Sequence, residues 1–184
     1  YIEDVARRAA VEGFLALAPD GLFPVGVYPG NDDDGLTLQG NLDQGKLRTD
    51  FLNSARSLKS HKLSNGKLGA TGFCSGGSTV NFLAATMGAD LQAGAPFYGA
   101  AAETASVPKI KSPLLLHFAE NDVGINGMWP AFESALKVAG VPHEAHIYPG
   151  TLHGFHNNST PRYNEAAAKL AWERTVAFFK KNLA

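Results

Sequence analysis

Gly72-Phe73-Cys74-Ser75-Gly76-Gly77 joins a short apolar strand segment, Leu68-Gly69-Ala70-Thr71, to a helix-like run from Ser78 to Ala85. A side chain perched on so sharp a strand-to-helix turn has a strained backbone. The residues two before and two after it must be small to avoid collision. Gly72 and Gly76 hold those places, in the pattern Gly-x-nucleophile-x-Gly. The chain is thereby constrained to an architecture in which a strand delivers a reactive residue to the start of a helix. Most such turns carry serine. Here the centre is Cys74, the only cysteine in 184 residues, so the expected nucleophile is a thiol.

A single cysteine excludes an intramolecular disulfide framework, and no Cys-x-x-Cys pair suggests a structural zinc site. The fold must stand on its core. With 45% hydrophobic residues, one globular domain spanning 1–184 can bury enough apolar surface to do so. A net charge of -1 offers no basic stripe for nucleic acid and no polybasic patch for a membrane, so a small neutral or mildly polar molecule is the expected partner. No apolar run is long enough to span a bilayer. The cytoplasm is the expected compartment, with export to a periplasm left open because the chain starts at Tyr1 and not at a methionine.

Helical and strand signals alternate along the chain. The spacing of Ile2, Val5, Ala6 and Ala9 predicts a helix, and Phe14 to Ala18 reads as a short strand ended by Pro19-Asp20-Gly21. Leu22 to Gly45, rich in Gly, Pro, Asn and Asp, reads as a long surface loop whose Asp32-Asp33-Asp34 run is solvated. An amphipathic helix follows over Leu47 to Leu58, and Ser64-Asn65-Gly66 turns the chain into the strand before Cys74. Further strands are expected at Ala93 to Tyr98, Leu114 to Ala119 and Glu144 to Tyr148, the last stopped by Pro149-Gly150. Helices are expected at Trp129 to Ala139 and Asn164 to Phe179. Five strands interleaved with helices make an α/β fold with an open, mainly parallel sheet and flanking helices.

Ligands of such sheets bind at the carboxyl ends of the strands. Cys74, Asp122 and His153 each follow a strand, in the order nucleophile, acid, histidine that belongs to the α/β-hydrolase fold. A free thiol, with a pKa of about 8.5, is only slightly ionised at neutral pH and needs help. His153 can take its proton and later return it to a leaving group, with Asp122 holding the imidazole in one tautomer. The helix after Cys74 lowers the cost of the thiolate, and the backbone N–H of Ser75 is placed to donate to an oxyanion.

Each residue has a plainer reading alone: a buried small Cys74, a turn or helix-cap Asp122, a loop His153. Their shared order and placement favour the functional one. His117 reads as a hydrogen-bonded core residue, and His143 and His146 fall on opposite faces of a strand, so they do not converge on a metal. Tyr98, Trp129 and Phe155 are candidate walls of a substrate pocket.

Gly72-Phe73-Cys74-Ser75-Gly76-Gly77, Pro96-Phe97-Tyr98-Gly99, Leu116 through Asp122 and His153-Gly154-Phe155 together resemble the dienelactone hydrolase family over essentially the whole chain. The resemblance implies an α/β-hydrolase fold and a Cys-Asp-His triad at Cys74, Asp122 and His153. It also implies cleavage of enol lactones or esters through a thioester acyl-enzyme, with no cofactor and no metal. It further implies strands upstream of the Tyr1 helix, with a second oxyanion donor and a glutamate that this chain does not contain. An N-terminally truncated sheet of that kind is expected to have a central gap, filled by an upstream fragment or by a second copy in a homodimer. Family members that cleave dienelactone place an arginine soon after the histidine, where this chain has His156-Asn157-Asn158. The expectation is a hydrolase of small carboxylic esters or lactones other than dienelactone itself. Two alternatives stand beside it: a non-catalytic binding module on the same fold, or a redox-sensitive thiol protein.

Overall fold

The computed structural model describes residues 1–184, the side chain of Asp32 excepted. The chain forms two compact units, Ile2–Gly66 and Lys67–Ala184, the latter joined by Tyr1.

The Ile2–Gly66 unit holds helices only. Helix α1 spans Ile2–Val11 and carries exposed Glu3–Arg7 and half-exposed Asp4–Arg8 pairs one turn apart. Phe14 to Ala18, expected as a strand, forms none. A strand exists by pairing its backbone with a neighbour, and this unit offers no strand edge. Inside the expected loop lies α2, Asp32–Gly40. Asn31 caps it: its side-chain oxygen accepts from Asp34 N–H at 2.9 Å and its amide donates to the Asp34 carboxylate at 2.8 Å. This reciprocal cap, with acidic residues in the first turn facing the positive helix end, outweighs the glycines. Asp33 and Asp34 are exposed, and the side chain of Asp32 lies outside the described residues. Helix α3, Gln44–Lys59, starts at an Asp43 cap.

The Lys67–Ala184 unit is a four-stranded parallel sheet in the order β1-β2-β3-β4: β1 Gly69–Phe73, β2 Ala93–Phe97, β3 Leu114–Asn121 and β4 His143–Leu152. Helix α4, Ser75–Met87, links β1 to β2, and the short α5, Val123–Asn126, and α6, Trp129–Val138, link β3 to β4. Helix α7, Glu165–Leu183, closes the chain behind an Asn164 cap. All five residues of β2 are buried, whereas all five of β1 are half-buried, as an edge strand requires. Among the described residues no strand pairs with the outer side of β1.

Strand β4 passes through Pro149-Gly150 where a stop was expected. Gly150 takes a φ of 68°, its N–H donates to Glu120 Oε2 at 2.8 Å, and the β3–β4 register shifts between Ala119 and Asn121. A bulge absorbs the proline, and pairing resumes at Leu152.

Adjacent β3 residues point to opposite faces. Phe118 packs on Trp129 of α6, while His117 turns to α7. His117 is fully buried and bonded at both nitrogens: Nδ1 to Tyr148 Oη at 2.8 Å, Nε2 to Thr175 Oγ1 at 3.0 Å. The hydroxyl of Thr175 already donates to Ala171 O, and Arg174 donates to Tyr148 Oη. The proton order therefore runs one way. Tyr148 donates to Nδ1, and Nε2–H donates to Thr175, so His117 is neutral.

Burial, reinforced by His146, His156 and Arg174, holds the His117 pKa well below its ordinary value. Its unfolded form binds a proton that the native form refuses. The stability this contributes is present above about pH 6.5 and is lost as pH falls below it. His146 is lowered too, by burial and then by Arg174. Thermal melts taken downward from neutral pH should show stability falling by up to about 1.4 kcal/mol per pH unit for each such proton. His117→Gln should make that slope shallower.

Candidate active site

At the carboxyl end of β1, Cys74 takes φ 57° and ψ -118°, a backbone conformation few residues other than glycine adopt. Its N–H donates to Phe97 O at 3.1 Å and its carbonyl accepts from Ser78 N–H at 3.1 Å, so it is tied to β2 and already belongs to the first turn of α4. The thiol is exposed at the positive end of that helix. Ser75 is the first residue of α4, where no intrahelical acceptor exists for its N–H.

The glycines divide differently from the sequence expectation. A β-carbon on Gly72 would strike the carbonyl of Gly76. One on Gly77 would lie 2.5 Å from Phe97 O, and one on Gly99 would strike the Gly77 backbone. Gly76 itself would meet nothing within 4 Å. The close approach is thus made by Gly72, Gly77 and Gly99, which bring α4 against the β2 exit. Two hydrogen bonds lock that contact: Ala100 N–H to Ser78 Oγ at 2.9 Å and Asn81 Nδ2 to Ala100 O at 2.8 Å. The steric role of Gly99 and the bond of Asn81 gave no signal in the sequence, because their partners lie about twenty residues away.

Asp122 ends β3 and caps α5, its Oδ1 accepting from Ile125 N–H at 3.4 Å. The same carboxylate accepts His153 Nδ1–H through Oδ2 at 2.6 Å. The cap role and the histidine contact coexist in one side chain. With Nδ1 protonated toward an ionised carboxylate, Nε2 of His153 keeps its lone pair and can act as a base. The imidazole is half-buried, with the ring of Tyr98 tilted against it at 4.9 Å between centroids.

Residues outside the expected set brace this pair. Asn126 Nδ2 donates to Ala119 O at 2.8 Å and Glu120 O at 3.1 Å. Thr151 Oγ1 accepts from Glu120 N–H and donates to Tyr148 O. With the Glu120–Gly150 bond, these hold the ends of β3 and β4 together, which fixes Asp122 relative to His153.

Of the candidate pocket walls, Phe155 is fully buried in a core cluster with Phe97, Tyr98, Tyr148, Ala119 and Ala171. Trp129 packs with Phe118, Phe132 and His143 between α6 and the sheet, and none of these ring contacts brings it to His153. The Arg162 guanidinium lies across Gly154, about 3.6 Å from where a β-carbon there would be. His156 is buried, accepting or donating at Nδ1 with the Tyr1 hydroxyl at 2.7 Å and stacked on Phe73.

The steric division among the glycines is testable by thermal melts. Gly77→Ala is expected to cost about 3 kcal/mol, because its new methyl group meets rigid backbone. Gly76→Ala, with open space and a better helix former, should leave the melting temperature unchanged or higher.

Comparisons with known proteins place the chain in a family and a fold. The model of the dienelactone hydrolase family matches residues 1–183. Protein usf of Aquifex pyrophilus is 33% identical over 195 residues, covering 99% of this chain and 81% of the relative. A relative from Aquifex aeolicus, named for carboxymethylenebutenolidase activity, is 31% identical over 194 residues with the same coverage. A dienelactone hydrolase-type structure from Klebsiella pneumoniae superposes with a TM-score of 0.84 at 26% identity, over 98% of this chain and 80% of its own. The chain is a hydrolase of the dienelactone hydrolase family, built on the α/β-hydrolase fold.

Proposed function

We propose that the protein hydrolyses small carboxylic esters or lactones through a thiol nucleophile, Cys74, with His153 as general base and acid and Asp122 as its orienting carboxylate. The observation that carries this reading is the 2.6 Å contact of His153 Nδ1 with Asp122, in a chain that also places its one thiol on a strained turn at a helix N-terminus. The thiolate attacks the carbonyl carbon, a C–S bond forms, and the carbonyl oxygen takes the negative charge, for which the Ser75 N–H is a donor. The C–O bond then breaks as the His153 imidazolium gives its proton to the leaving oxygen. In a lactone that oxygen stays attached to the acyl chain. A water, deprotonated at His153 Nε2, next attacks the thioester and releases the acid, and the thiolate is restored. Arg162 at Gly154 supplies a cation suited to a substrate that carries a carboxylate, in keeping with the carboxymethylenebutenolidase name of the Aquifex aeolicus relative.

Hydrolysis of p-nitrophenyl acetate and of a small lactone tests the reading. Cys74→Ala should abolish activity, and Asp122→Asn should lower kcat by about 10²-fold or more through loss of the working tautomer. Activity should persist in EDTA, since thiol and imidazole generate the nucleophile between them. Full activity in Cys74→Ala would overturn the assignment.

A further inference from the structure

Cys74 follows β1 and His153 follows β4, the first and last strands in the order of the sheet. The β3–β4 frame fixes His153 to Asp122, but it does not fix how far the imidazole stands from the thiol. A contact that joins the His153 loop to the β1 exit is needed for that.

The His153 loop is made of two consecutive turns, Phe155 N–H to Leu152 O at 3.0 Å and Asn157 N–H to Gly154 O at 2.9 Å, with Gly154 at a φ of 89°. His153 is half-buried, whereas His156, three residues on, is driven into the core at 2% exposure. Burying an imidazole costs solvation that a phenyl ring does not lose, so its nitrogens must be engaged. The His156 ring stacks on Phe73, the residue before Cys74, at 4.8 Å between centroids and 26° between planes, and meets Phe97 edge-on at 5.1 Å. Phe97 O is the acceptor of the Cys74 N–H. His156 therefore touches both residues that hold the strained turn in place.

A stacked ring can still flip or slide, and a hydrogen bond removes that freedom. Nδ1 of His156 is bonded to the Tyr1 hydroxyl at 2.7 Å, and the Tyr1 ring packs edge-on against Phe73 at 5.4 Å. Tyr1 belongs to the same compact unit as the sheet. The Tyr98 hydroxyl faces the Tyr1 side chain and the His156 backbone, and its ring lies 4.9 Å from that of His153.

We propose that His156, held by the Tyr1 hydroxyl, is the positioning residue that sets the distance between the His153 imidazole and Cys74. The proposal rests on the reading of Cys74 as nucleophile and His153 as its base.

The test compares the wild type with Tyr1→Phe, which deletes one oxygen, with His156→Phe, which keeps a stacked ring without the bond, and with the double variant. In each single variant kcat/KM for p-nitrophenyl acetate should fall about tenfold or more, as a displaced base slows proton transfer. Alkylation of Cys74 by iodoacetamide at about pH 6, which needs the thiolate, should fall in each toward the rate of His153→Ala. The double variant should lose no more than the worse single one, since both remove the same bond. Tyr1→Phe alone still decides the matter where His156→Phe does not fold. A lowered melting temperature with wild-type kcat/KM and alkylation rate, both measured well below the melt, would mark a packing role and overturn the proposal. So would additive losses in the double variant, or a wild-type alkylation rate that His153→Ala leaves unchanged. A wild type without esterase activity would overturn the hydrolase reading, while the alkylation rates would still decide this one.

Discussion

Backbone meeting backbone at the start of α4 is the constraint on which the site depends. Cys74 can stand at a left-handed φ only because Gly72, Gly77 and Gly99 let the helix, the β1 exit and the β2 exit approach to distances no side chain would allow. The hydrogen bonds from Cys74 N–H to Phe97 O, and between Ala100 and Ser78 and Asn81, then make that approach a fixed joint. A helix end held so close presents its unsatisfied N–H groups to the space beside the thiol, where a negative charge is stabilised by partial charges that need not reorganise.

The other half of the site is positioned by the sheet. Parallel pairing of β3 with β4 brings the residues after each strand side by side, and the bulge at Ala119–Asn121 sets their offset. Glu120, Asn126 and Thr151 convert that pairing into a rigid frame for Asp122 and His153. The carboxylate is spared from conformational search because it also caps α5. One short helix thus orients the carboxylate that holds the imidazole.

Polar groups inside the sheet's core follow the same economy. His117 joins β3, β4 and α7 through a chain of donors that begins at Arg174 and ends at Ala171 O, with every member satisfied. A fully satisfied network of this kind specifies packing. Tyr98 is buried on a strained backbone, its ring set among Phe73, Phe97, His153 and Phe155.

Much of the candidate site was legible in the residues themselves, since glycine spacing, strand-end placement and chain order are local properties that survive without a structure. The strand-to-helix turn at Cys74 and the strand-end places of Asp122 and His153 were read that way, as were α1, the strands of the four-stranded sheet and the core place of His117. Local patterning failed where the outcome depends on a partner. Phe14 to Ala18 has strand composition but no strand within its own unit to pair with, Pro149-Gly150 looks like a stop but is carried by a bulge in the neighbouring ladder, and Trp129 packs against Phe118 and His143 and not against the site. Helix α2 was read as part of a loop because of its surrounding glycines, and it forms behind the Asn31–Asp34 cap. Only the tertiary structure showed that Gly77 and Gly99 bear the close contact while Gly76 faces open space, and that Arg162 returns to Gly154. Sequence encodes each residue's own conformational preference. Contact between residues twenty or thirty positions apart, and the steric and hydrogen-bonding demands it creates, comes into existence only when the sheet assembles.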